Sequence, residues 1–186
     1  MNCTIKKLNT YKLIFSILLT AFFNFSAFSQ CKLDKTNEGY IQSKEIIIAD
    51  IVELTDEKTS WSLELKFLKA DDNRFFLLLS NKASGNHAYA IRNIDFHFTD
   101  GSSFSKSTSI NQSKETKISG GYTEKLTLFE IDKIEIEKLS KNQLDFFKTN
   151  FIGFQEYPNE YEESINKRIS EKINNTSNCI LLESKQ

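Results

Sequence analysis

From Trp61 to Phe67 the chain alternates without a break: Trp61, Leu63, Leu65 and Phe67 are large and apolar, and Ser62, Glu64 and Lys66 stand between them. Successive side chains of an extended strand point to opposite faces, so this pattern demands one buried and one wetted face, as in an antiparallel sheet. Residues 89–99 repeat the arrangement, with Ile94, Phe96 and Phe98 on one face and Asp95, His97 and Thr99 on the other. Two further runs are apolar on both sets of positions. Residues 45–54 alternate Ile46, Ile48 and Val52 with Ile47, Ala49 and Ile51, and residues 75–80 read FFLLLS. Such runs belong where both faces of a sheet are covered.

Breakers divide the runs. Asp71-Asp72-Asn73 are turn formers, and Asp100-Gly101 offers the positive φ angles of a type I′ hairpin, which predicts a return strand over 103–110. Phe104 and Ile110 are that strand's only large apolar residues, which suits a sheet edge. Residues 81–86 read as a loop and the polar stretch 112–121 as a longer one. Residues 122–126 re-enter as a strand. Thr127-Leu128-Phe129-Glu130 fits a capping box and predicts a short helix over 128–141. Residues 144–157 read as a last strand or strand pair, with Gly153 as a bulge. Beyond Pro158, the residues Tyr161, Ile165, Ile169 and Ile173 recur at every fourth position among charged neighbours, the pattern of an amphipathic C-terminal helix over 159–175.

Ahead of this stretch, Lys6, Lys7 and Lys12 precede a charge-free run from Leu13 to Phe28 that ends in Ser26-Ala27-Phe28-Ser29-Gln30. A cationic start, an apolar run and small residues at Ala27 and Ser29 are the order of a secretory signal peptide over 1–29, with cleavage expected after Ser29. Spanning a bilayer takes about 20 predominantly apolar residues, and this run is shorter and broken by Ser16, Asn24 and Ser26. The working chain is then an N-terminal arm over 30–44 and a single β-rich domain over 45–186, exported to the periplasm or secreted, with no membrane span left. Losing three of the 24 lysines and arginines leaves 21 cations against 25 acids, a formal charge of −4. That balance lacks the basic footprint of a nucleic-acid binder. Cys3 leaves with the leader, so Cys31 and Cys179 remain, and an even count in an exported chain favours a disulfide between them. The bridge would close nearly the whole chain and contribute about 0–5 kcal/mol.

The segments DGSSF, LTLFE and NCILL, in that order and spacing, resemble those of small exported proteins of Bacteroidota-type bacteria, as does a leader ending in a small residue before Gln. The resemblance implies export and carries no activity with it. Several antiparallel strands followed by a packing helix define a β-rich α+β domain, either an antiparallel sandwich or a small partly open barrel covered by the C-terminal helix.

Residues able to do chemistry are sparse. The histidines are His87, in a polar loop, and His97, which shares a strand face with Asp95 and precedes Asp100 in the turn. Asp95, His97 and Asp100 are zinc-ligand types, but the same residues serve a solvent-facing strand beside a turn that needs Asp, so no metal ligand is assigned. Neither a G-x-S-x-G elbow nor a G-x-x-x-x-G-K-[ST] loop occurs, and no catalytic residue or cofactor is assigned. The expected function is non-enzymatic binding in the cell envelope, to an envelope protein or an apolar small molecule, with the 112–121 loop and the turn at Gly101 as contact surfaces. The alternatives are a metal-dependent hydrolase centred on His97 and a lipocalin-like carrier whose strands enclose a cavity.

Overall fold

A computed structural model describes residues 32–36, 41, 45–55, 61–84, 88–108, 113–118, 121–152 and 160–183, all within the compact unit Lys32–Gln186. The signal segment, Cys31, His87, Gly153 and Pro158 lie outside the described residues, and so does the Cys31 half of the expected disulfide. The strands are β1 (Leu33–Thr36), β2 (Ile46–Ala49), β3 (Val52–Glu53), β4 (Trp61–Ala70), β5 (Phe75–Ser84) and β6 (Ala90–Phe98), then β7 (Ser103–Ser107), β8 (Ser113–Ile118) and β9 (Tyr122–Ile131). Helix α1 (Lys133–Lys141), strands β10 (Leu144–Ile152) and β11 (Glu160–Ser164), and helix α2 (Lys167–Glu183) complete the order. A seven-stranded sheet runs β1-β2-β4-β5-β9-β8 with β3 also paired to β4, and a four-stranded sheet runs β11-β10-β6-β7. Every pairing is antiparallel.

The alternation read from the sequence sets the core. Leu63, Leu65 and Phe67 of β4, with Leu77 and Leu79 of β5, point inward from the larger sheet, and Ile94, Phe96 and Phe98 of β6 point inward from the smaller one. Phe67, Phe96, Phe129 and Phe147 are fully buried among them, each stabilising the fold by about 1.5–3 kcal/mol through burial. Two open sheets face one another across this filled interior, so the sandwich is the architecture and the barrel is not. The run at 75–80 is covered on both faces, as its composition requires: Phe76 and Leu78 join Ile46, Leu68, Ala70 and Leu128 in a second cluster on the outer side of the larger sheet, together with Ile41.

Both helices close one side of the sandwich. Ile136 and Leu139 of α1, with Ile173, Ile180 and Leu181 of α2, enter the main core. Asn174 Nδ2 donates to the carbonyls of Leu139 and Asn142, at 2.5 and 2.8 Å, and so satisfies orphan acceptors at the C-terminus of α1. Ser170 Oγ accepts from Leu144 N at 2.8 Å, tying α2 to β10. Lys69, on the inward side of β4, donates its ammonium to the Glu183 carbonyl at the end of α2, 3.3 Å away.

Several expectations give way. The arm over 30–44 contains a strand, β1, which pairs with β2 from Leu33↔Ala49 to Thr36↔Ile46. The 45–54 run is two short strands interrupted at Asp50 and Ile51. Residues 81–84, read as loop, continue β5, because the β5–β9 ladder extends to Ser84↔Tyr122. The hairpin at Asp100-Gly101 is not type I′. Only Gly101 is left-handed (φ 81), Gly101 N donates to Phe98 O, and Phe98 N donates to Ser102 O, which is a type I turn followed by a left-handed glycine. The 112–121 stretch holds β8, an edge strand on β9. The capping box belongs to Asp132 and Glu135 rather than to Thr127 and Glu130, and α1 begins five residues later than expected. Residues 160–164 form β11, so the last helix starts at Lys167 and runs on to Glu183.

Candidate functional site

The outer face of the four-stranded sheet is where the sequence-derived residues meet. Register puts His97 between Ser103 and Phe146, with Ser164 beyond Phe146 on the edge strand. One row away, Asp95 stands between Ser105 and Lys148, with Glu162 beyond. Small serines thus flank a ring pair on one row and an acid–base–acid set fills the next. The His97 and Phe146 rings stack with centroids 4.2 Å apart and planes 8° from parallel. Lys148 Nζ lies 5.7 Å from the Phe146 centroid, so the ring also receives a cation, and the same ammonium is 2.7 Å from Glu162 Oε2. The hydrogen bond from Lys148 to Glu162, then the attraction between their charges, holds the ammonium above the usual lysine range.

Of the three residues considered for a metal, Asp95 and His97 do share this face, but Asp100 is engaged elsewhere. Its Oδ1 accepts from Ser102 N at 2.9 Å and Ser102 Oγ at 2.5 Å, and its Oδ2 accepts from Asn142 Nδ2 at 2.7 Å. The side-chain bond from Ser102, then its backbone bond, holds the Asp100 carboxyl below the usual carboxylate range. It is the clamp of the β6–β7 turn, joined to the end of α1. Among the described residues no three His, Cys, Asp or Glu side chains gather as a metal site would need.

A second feature is an open groove of about 550 Å³ where the β4–β5 turn meets the start of α1, lined by Arg74, Phe75, Lys106, Glu130, Asp132 and Lys133. Most of its charges serve the fold: Arg74 is 2.7 Å from Asp72, Lys106 is 2.6 Å from Glu135, and Asp132 accepts from Glu135 N at 2.8 Å. On the inward side of β11 the Tyr161 hydroxyl donates to Glu163. Burial, then that bond, pushes the phenol above its ordinary range.

Phe146 is the member of the outer face that the sequence analysis, reading residues 144–157 only as a strand or strand pair, assigns to neither face. Its neighbour supplies the missing signal, because Phe146 and Phe147 are consecutive and a strand must send them to opposite faces. Phe147 is fully buried and Phe146 is only partly buried. Comparison with protein-family models, with curated proteins and with solved structures yields no match.

Proposed function

We propose that the working chain is an exported, non-enzymatic binding domain of the cell envelope that engages its partner through the outer face of the four-stranded sheet. The observation that carries this reading is the placement of Phe146, a large apolar ring, on the solvent side of a polar row, stacked on His97 at 4.2 Å. Rigid aromatic anchors with a polar surround are what protein contact surfaces use, since an aromatic ring offers much contact area at little entropy loss. The interior, filled by Phe67, Phe96, Phe129 and Phe147, favours surface contact over a carried apolar ligand.

A photo-crosslinking residue at Ser105, exposed on the same face, should yield a discrete adduct in the native host. The adduct should fade by at least half on Phe146→Ala. A crosslinker at exposed Ile134 of α1 serves as the control. Equal adducts from both positions, or an adduct indifferent to Phe146→Ala, would remove this face from the reading. Export is tested separately by intact mass: protein recovered from the host envelope should begin at Gln30 and be lighter by two hydrogen atoms for a Cys31–Cys179 bridge, and material retaining Met1 with both thiols reduced would overturn it.

A further inference from the structure

We draw no further inference here: the strongest candidate, the apolar outer face of the seven-stranded sheet formed by Ile46, Leu68, Ala70, Phe76, Leu78 and Leu128, carries nothing because, among the described residues, nothing beyond Ile41 shows what covers it.

Discussion

Thr127 and Thr149 are both fully buried, at 0% exposure, yet their hydroxyls stand in opposite situations. Thr127 Oγ1 accepts from Ile91 N at 3.1 Å and so joins β9 of one sheet to β6 of the other. Thr149 Oγ1, on β10 opposite Ile94 and Tyr161, has no hydrogen-bond partner among the described residues. A buried hydroxyl left unpaired costs about 1–3 kcal/mol, and a methyl of nearly the same volume avoids that penalty. Thr149→Val should therefore raise the unfolding free energy by about 1–2 kcal/mol. Thr127→Val strands the Ile91 N–H in the core and should lower it by about 1–3 kcal/mol. For a domain of this size each kcal/mol moves the melting temperature by about 2–4 °C, so the two variants should melt about 4–20 °C apart, on either side of the wild type. Calorimetry of the mature protein measures this directly, and urea titration checks that the slope is unchanged and the comparison fair. A Thr149→Val protein that melts below the wild type, or two variants shifted alike, would refute the reasoning.

Two further outcomes follow from the turns and caps. Asp132→Ala removes the carboxylate that accepts from Glu135 N, leaves only the reciprocal bond from the backbone N–H of residue 132 to Glu135 Oε2, and should destabilise the fold by about 0.5–2 kcal/mol in urea titration. Asp100 has its folded pKa depressed, so the stabilisation it brings is present above its unfolded value of 3.8 and is lost as pH falls through the folded one. The gap in urea midpoint between wild type and Asp100→Asn should accordingly hold through neutral pH and close under acid conditions. A gap that instead grew below the unfolded pKa would contradict the assigned bonds.

The period-two signal is strong where one face of a strand is dry and the other wet, and β4 and β6 appear in the sequence almost residue for residue. It weakens at an edge. β8 reads SKETKI because a sheet edge demands little apolar surface, and its pairing with β9 rests on backbone groups that composition does not report. The expected start of the last helix is misplaced for a different reason. Four is an even number, so residues four apart share a strand face as readily as a helix stripe, and Tyr161 and Ile165 satisfy both descriptions. Asn166 decides where helix begins: its Oδ1 accepts from Ile169 N at 3.0 Å, the bond of an N-terminal cap, and residues before it are free to pair with β10.

The two capping boxes pose the same problem more sharply. Thr127-x-x-Glu130 and Asp132-x-x-Glu135 both carry the required oxygen and carboxylate at the required spacing, and no local rule separates them. What separates them is the ten-residue ladder from Phe75↔Ile131 to Ser84↔Tyr122, which commits Thr127 and Glu130 to β9. Within that ladder Thr127, Phe129 and Ile131 fall on one face, where the first bonds across the sandwich and the other two enter the main core. A helix started at Leu128 would forfeit those contacts for a cap worth about 1 kcal/mol, whereas burying one Phe side chain alone is worth about 1.5–3 kcal/mol. The site is governed by the same competition. His97 and Asp95 are visible as one face of an alternating strand, but Phe146 becomes a surface residue only because Phe147, its equal in hydrophobicity, holds the inward position opposite Phe96. Pairing register, not residue type, makes one ring core and the other contact surface.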